Sequence, residues 1–168
     1  MIRPNEITYL VFDDIDKWLS KYDYEEIEIS EDKINILIKA KKSYDGYLFD
    51  VDVEYNDATR IAYISVCCLT PVPKDKWIFG LKLINFISHF EREAKYILCP
   101  FNHTISCSTS HSILDCRCSI GQLIEDQASC SIENLSNISD TIKSENLKIS
   151  NIHPIRFHNN FWKGINYF

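Results

Sequence analysis

Hydrophobic side chains recur every three or four positions over residues 6–22. This spacing predicts an amphipathic helix whose apolar stripe lies on a sheet or on another helix. Asn5, directly after Pro4, is the predicted N-cap. The predicted stripe contains Ile7, Val11, Ile15, Trp18, Leu19 and Tyr22.

The period changes from helical to two between residues 34 and 69, where apolar and polar side chains alternate. Three runs, 34–41, 47–55 and 60–69, are separated by the turn signals 43–46 and 56–59. Alternation of this kind predicts an antiparallel meander with one dry face and one wet face. Ile27 and Ile29 also alternate with polar neighbours, as a short strand before the meander or as an extension of its edge.

Residues 76–93 are apolar around most of a helical circumference, so we expect this helix to be buried on more than one side. Its own sheet would cover one side, and other helices or a second copy of the chain would cover the rest. Four of its side chains are expected to be largely buried: Trp77, Leu81, Ile84 and Phe90.

A second hairpin is predicted over residues 95–111, with its turn near residues 101–103. Ser119 and Gln122 then fit a capping box at the start of a helix that runs to about Lys143. No strand–helix–strand alternation occurs, which argues against a parallel sheet. We therefore predict an α+β fold: an antiparallel sheet, made of a three-stranded meander plus a hairpin, with helices packed on one face in the order α-β-β-β-α-β-β-α.

The chain has 168 residues, of which 45% are hydrophobic and 25% charged, and this composition suits one folded domain. We place that α+β domain at residues 1–148 and an aromatic-rich tail at 149–168. The net charge of −6 argues against nucleic-acid binding through bulk charge. No secretory signal and no long uncharged apolar stretch is present, so a cytoplasmic protein without a membrane partner is expected.

The charge is divided unevenly along the chain. Residues 1–57 hold 15 acidic and 7 basic side chains, whereas residues 149–168 hold Arg156 and Lys163 and no acid. The two regions could attract each other within one chain or between two copies. Chance and solvated surfaces explain the same asymmetry, and both interpretations remain open.

Seven cysteines in a chain expected to be cytosolic favour reduced thiols, most of them buried. A zinc site at Cys116 and Cys118, completed by His103 or His111, is the alternative, but no second tightly spaced pair accompanies it. The two histidines are too far apart along one strand to share a metal, and each is expected at the surface or at a strand end. No metal ligand is therefore assigned.

Three carboxylates, those of Asp50, Asp52 and Glu54, are expected on one face of a strand. The neighbouring strand offers Lys39 and Lys41 close to the same turn. Cross-strand pairs of opposite charge are the usual reason for such a pattern. We therefore interpret this face as salt-bridged and exposed rather than as a metal site.

No signature of catalysis accompanies these elements. Glycine-rich phosphate loops are absent, and no nucleophile lies beside a base at a recognisable spacing. We assign no catalytic residue and no cofactor. The sequence does not decide whether the protein is an enzyme, and the observations favour a non-enzymatic protein.

The element order resembles the YbjN-like family, whose fold is shared with type III secretion chaperones. The resemblance covers residues 5–145 and is carried by Leu81-Lys82-Leu83-Ile84-Asn85, by the hairpin at 95–111 and by the capped helix after Ser119. It implies a non-enzymatic protein, since relatives are described as regulators of sensory transduction. The chaperone branch forms homodimers that hold extended segments of other proteins.

These observations favour a chaperone-like or adaptor protein that binds another protein, or an extended segment of it, as a homodimer. The candidate partner-binding residues are Trp77, Phe157, Phe161 and Trp162. One alternative is a small regulatory or pathogen–host interaction protein that masks a partner, and a further one is a thiol- or metal-dependent enzyme or sensor. The tail could also fold back over its own helix and complete a monomer.

Overall fold

The computed structural model describes residues 4–29, 35–90, 93–112 and 119–144. A single 3₁₀ turn, Lys74–Lys76, precedes the second helix. The elements in chain order are α1 (Pro4–Leu19), β1 (Asp23–Ile29), β2 (Asn35–Tyr44), β3 (Tyr47–Asn56), β4 (Ile61–Cys68), α2 (Trp77–Phe90), β5 (Ala94–Leu98), β6 (Ile105–Ser112) and α3 (Ile120–Ser144).

The strands form one six-stranded sheet in the order β1-β2-β3-β4-β6-β5. Every pair of neighbours is antiparallel, which confirms the predicted α+β class. The structure adds one strand to the predicted order, because β1 pairs with β2 and makes the meander four-stranded. The alternation at Ile27 and Ile29 was therefore a strand of its own.

Alternation of side chains builds the core on one face of this sheet. Ile38, Val53, Ile64 and Thr109 lie opposite one another across β2, β3, β4 and β6, and Ala94 extends the row to β5. All but Thr109 are apolar, and all five are buried. Because successive residues of a strand point to opposite faces, the same register turns the polar positions outward. The serines of β6 at 106, 108 and 110 lie on that outer face, as predicted.

The three helices lie on the core face. α3 crosses the centre of the sheet and packs mainly on β4 and β6, α1 packs on α3, and α2 packs on β5. One of the two hydrogen bonds of the predicted capping box is confirmed, since the Gln122 backbone N–H donates to Ser119 Oγ at 3.2 Å. α1 begins at Pro4, so Asn5 lies inside the helix and the predicted N-cap is wrong.

A close approach fixes α1 against α3. The Gly121 backbone N–H donates to Asp14 Oδ2 at 2.8 Å. A Cβ at Gly121 would lie 2.3 Å from the Asp14 carbonyl oxygen and 2.7 Å from Trp18 Cδ1. The absence of a side chain therefore lets the start of α3 press against the backbone of α1.

His111, expected at the surface or at a strand end, is the last but one residue of β6 and is buried on its core face. Its position alternates with the outward serines, so the period that places Cys107 and Thr109 inside places this imidazole inside as well. Burial lowers the pKa of His111 to about 4. The strand-end alternative is confirmed, and the surface alternative was wrong because it judged the residue by its polarity rather than by its register.

Candidate functional site

α2 is held on the domain by four buried residues on one side: Gly80, Leu83, Ile84 and Ile87. At Gly80 the helix comes so close to its neighbours that a Cβ would lie 3.3 Å from Ile142 Cδ1 of α3. The same Cβ would lie 3.4 Å from Leu98 Cδ2 of β5. These contacts place α2 at the junction of the sheet edge and the end of α3.

The opposite side of α2 keeps large apolar side chains in solvent. Ile78 is 69% exposed, Phe86 is 43% exposed and Leu81 is 38% exposed. Lys82, Asn85 and His89 lie between them, as the sequence predicted for the polar stripe of this helix. We call Trp77, Ile78, Leu81 and Phe86 the α2 surface.

Trp77 anchors one end of this surface to the β5–β6 turn. Its ring lies 4.6 Å from the His103 ring, centroid to centroid, at an interplanar angle of 42°. The turn is itself tied to the chain before α2, because the Val72 backbone N–H donates to the His103 carbonyl at 2.8 Å. Phe101 lies at the tip of that turn and is 93% exposed, so a second apolar side chain stands at the same end of the domain as Trp77.

The structure corrects the predicted burial of this helix. Ile84 is buried as expected, Trp77 is half-buried, and Leu81 is exposed, so its predicted burial is wrong. α2 lies at the end of the helix layer, over β5, with one side buried and the large apolar side chains of its other side exposed. The side chain of Phe90 lies outside the described residues.

Of the four predicted partner-binding residues, Trp77 alone is described. Phe157, Phe161 and Trp162 fall in residues 145–168, outside the described part of the chain. Sequence reasoning missed Ile78 and Phe101 as exposed apolar residues. Ile78 could have been found from the helical wheel, since it projects beside the polar stripe, and Phe101 from its place in a hairpin turn.

The outer face of the sheet carries the predicted row of carboxylates in the predicted register. Lys39 lies opposite Asp52, and Lys41 lies opposite Asp50. The ammonium groups of Lys39 and Lys41 nevertheless bind Glu26 and Glu25 of β1. The expected salt-bridged face is confirmed, but its closest ion pairs join β2 to β1 rather than to β3, because β1 brings two glutamates to the other side of the lysines.

Asp52 lies among these lysines and the other acids of the outer face. Burial, followed by the nearby charge of Asp50, raises the pKa of Asp52. Asp52 and Glu54 line a shallow cavity of about 300 Å³ with Leu37, Tyr63 and Ser108. The cavity belongs to the outer face of the sheet, on the side away from the α2 surface.

The described cysteines are free thiols, and two of the five, Cys68 and Cys107, are buried. Cys67, Cys99 and Cys130 are half-buried, so the expectation that most are buried is wrong for the described residues. Backbone N–H groups of Asn102 and Phe101 lower the pKa of the Cys99 thiol. Cys116 and Cys118, the alternative zinc ligands, lie outside the described residues.

Within residues 4–29, 35–90, 93–112 and 119–144, no group of three His, Cys, Asp or Glu side chains is placed to hold a metal ion. In the same ranges, no helix has both the length and the apolar composition needed to cross a membrane. The α2 surface is thus the site that the described residues offer most clearly, and what it can do is bind apolar groups.

Comparison with models of known protein families, with curated proteins and with solved structures found no match to this chain.

Proposed function

We propose that this protein is a non-enzymatic binding protein, chaperone-like or adaptor-like, whose α2 surface binds another protein or an extended segment of it. A second copy of the chain is the simplest such partner, so we also propose a homodimer. The single observation that carries the proposal is the exposure of Ile78, Leu81 and Phe86 on one helix of an otherwise ordinary α+β domain.

Exposed apolar side chains of this size are a reason to look for a partner. Scattered surface leucines or isoleucines need no explanation, but several on one helix form a patch of the kind that marks interaction sites. Burying such a patch is favourable by about 25 cal/mol for each Å² of apolar surface removed from water. A helix with large exposed apolar side chains can bind by laying that face into a hydrophobic groove of a partner.

Packing contacts hold α2 in place beneath the α2 surface, which favours binding without a large rearrangement. Gly80 brings α2 into contact with Ile142 and Leu98, and the Trp77 ring lies against His103. A surface held in place before binding loses little conformational freedom on binding, so more of the contact energy is available for affinity. The mixed apolar and polar character of the face, with Lys82 and Asn85 between the apolar side chains, is typical of non-obligate interfaces.

Self-association tests the homodimer directly. Sedimentation velocity over a concentration series should show a monomer–dimer equilibrium for the wild-type chain. Ile78→Asp and Leu81→Asp together should weaken it at least ~10-fold, since a charge in an apolar interface loses its solvation. Leu48→Asp is the matched control, because Leu48 is similarly exposed on the outer face of the sheet. Equal association of all three proteins would exclude the α2 surface as the interface.

Binding of an extended partner needs a separate measurement. A permanently unfolded, alkylated model protein with a fluorescent label serves as the probe, and anisotropy reports its binding. The wild-type chain and Leu48→Asp should bind it alike, whereas the Ile78→Asp/Leu81→Asp variant should bind at least ~10-fold more weakly for the same solvation reason. An absence of binding by the wild-type chain, or equal binding by all variants, would contradict the proposed function.

A further inference from the structure

We propose that the C-terminal segment 149–168 covers the α2 surface of its own chain and competes there with any external partner. The inference goes beyond the proposed function, because it concerns the free protein. It rests on the proposed function only for its consequence, namely that a partner or a second copy must displace the segment before it binds. The proposed occupant is the aromatic segment that follows α3 in the chain.

The end of α3 lies directly beside α2. Ile142, two residues before the last described residue, is buried and reaches the position where Gly80 lacks a side chain. The chain therefore continues from Ser144 at the flank of α2, where Leu98 and Val72 also meet the helix.

The remaining chain is long enough to reach every part of the surface. Residues 145–168 follow Ser144, and a chain extended by about 3.3 Å per residue spans several times the length of α2. A 14-residue helix is about 21 Å long at 1.5 Å per residue. Segment 149–168 can therefore lie along the α2 surface without any change in α3.

Composition matches the segment to an apolar surface. It contributes the three predicted partner-binding residues, Phe157, Phe161 and Trp162, and it contains no acidic residue. Aromatic side chains bury large areas, which makes them the strongest contributors to such contacts. Charge does not assist, because Arg156 and Lys163 of the segment would approach Lys82 of α2. The cover is thus hydrophobic, and it should persist at high salt, which screens charge but not apolar contacts.

Connectivity favours the segment of the same chain over that of a second copy. A short connection gives the tethered segment an effective concentration of ~1 mM, whereas the segment of another molecule is present at the protein concentration. At micromolar protein the intramolecular contact therefore prevails.

The Ile78 side-chain methyl group is the natural reporter of this cover, because it is the most exposed of the three large apolar side chains on the outward side of α2. Isoleucine-methyl NMR on the full chain compares the wild type with Phe157→Ser/Phe161→Ser/Trp162→Ser. The aromatic rings of the segment should shift the Ile78 methyl resonance, and the triple substitution should remove that shift. Asn159→Ser/Asn160→Ser is the control in the same segment and should leave the resonance where it is in the wild type.

Three outcomes would overturn the inference. The Ile78 resonance could be the same in the wild type and in the triple variant, or its wild-type shift could grow with protein concentration, which would assign the surface to a second copy. The shift could also collapse in 1 M salt, which would make the contact electrostatic. A concentration-independent, salt-resistant shift that the triple variant loses supports the cover.

The consequence for binding has its own readout. If the segment competes, the triple variant should self-associate and bind the unfolded model protein ~10-fold more tightly than the wild type, as expected when an intramolecular competitor is removed. If neither protein binds the probe or itself, the proposed function fails, while the Ile78 resonance still decides whether the segment covers the surface. Weaker binding by the triple variant would overturn competition and make the segment part of the binding surface.

Discussion

α2 and α3 lie side by side on the same face of the sheet, and the burial of each is the opposite of what its composition suggests. α2 is the apolar helix, yet Ile78, Leu81 and Phe86 remain in solvent. α3 is rich in serine, asparagine and acidic residues, yet 15 of its 25 residues are buried. Burial in this protein therefore follows the place of a helix in the layer and not its average hydrophobicity.

Position explains both helices. α3 crosses the centre of the sheet with α1 on one side and α2 on the other, so most of its circumference has neighbours. Two of its buried polar residues bind side chains of other elements: Asn134 Nδ2 donates to Tyr96 Oη at 3.1 Å, and Glu125 binds Lys21. Buried polar groups are tolerated when they have such partners. α2 lies at the end of the layer over β5, and the large apolar side chains of its outward side are exposed.

The largest expected effect comes from removing matched apolar volume from the two helices. Leu135→Ala in α3 should lower the free energy of unfolding by about 2–5 kcal/mol, because it opens a cavity in a fully buried site. Ile78→Ala in α2, made in the Phe157→Ser/Phe161→Ser/Trp162→Ser background so that the segment does not cover the helix, should change it by less than about 0.5 kcal/mol, because the side chain is then largely in water. Chemical denaturation checks the comparison, and similar losses at the two positions would mean that another part of the chain covers the outward side of α2.

Acid should weaken the side of the sheet that α3 covers. Because the pKa of His111 is lowered to about 4 in the folded protein, the unfolded chain binds its proton first as the pH falls below the ordinary value of about 6.5. Stability from this residue is therefore complete above pH 6.5 and is lost between about 6.5 and 4, by up to about 3 kcal/mol.

Unfolding curves between pH 4 and pH 7 measure the effect, and His111→Gln provides the reference. The difference in unfolding free energy between the wild type and the variant should shrink as the pH falls through this window. Parallel curves for the two proteins would show that His111 does not carry the dependence.

The two glycines of these helices give a second matched pair. Gly121→Ala should destabilise the protein by about 1–3 kcal/mol, because the new Cβ would meet the Asp14 backbone at 2.3 Å and α1 must move. Gly80→Ala should be within about 1 kcal/mol of neutral, because its closest neighbours are side-chain methyl groups and alanine favours a helix by about that amount. Thermal unfolding of the two variants tests the order, which would be reversed if α2 were packed more tightly than α3.

The smallest effect is expected at the cap of α3. Ser119→Ala removes the acceptor of the Gln122 N–H and should cost about 1 kcal/mol. Ser119→Asp should retain most of the stability, since aspartate is an equally good cap and its charge suits the start of a helix. A loss in Ser119→Asp as large as that in Ser119→Ala would show that packing, rather than capping, holds this residue.

Most of the fold was predictable from local pattern. The alternation at 34–41, 47–55 and 60–69 and the turn at 101–103 all correspond to observed elements, because each depends on neighbours within a few residues. The strand β1 was left open, since Ile27 and Ile29 are too short a run to decide. Because β1 was not predicted with certainty, the partners of the lysines were assigned to β3. Glu25 and Glu26 reach Lys41 and Lys39 only when β1 joins the sheet.

The sequence by itself determined the period of each element, the turns and the start of α3, since these follow from backbone geometry and side chains close together in the chain. Only the tertiary structure decided that Leu81 is exposed while Ser131 and Asn134 are buried. Periodicity states which side chains share a face of a helix, but not what lies against that face. The neighbours that bury a helix face are distant in sequence. Here β5 and α3 cover one side of α2, whereas α1, α2 and the sheet cover most of α3.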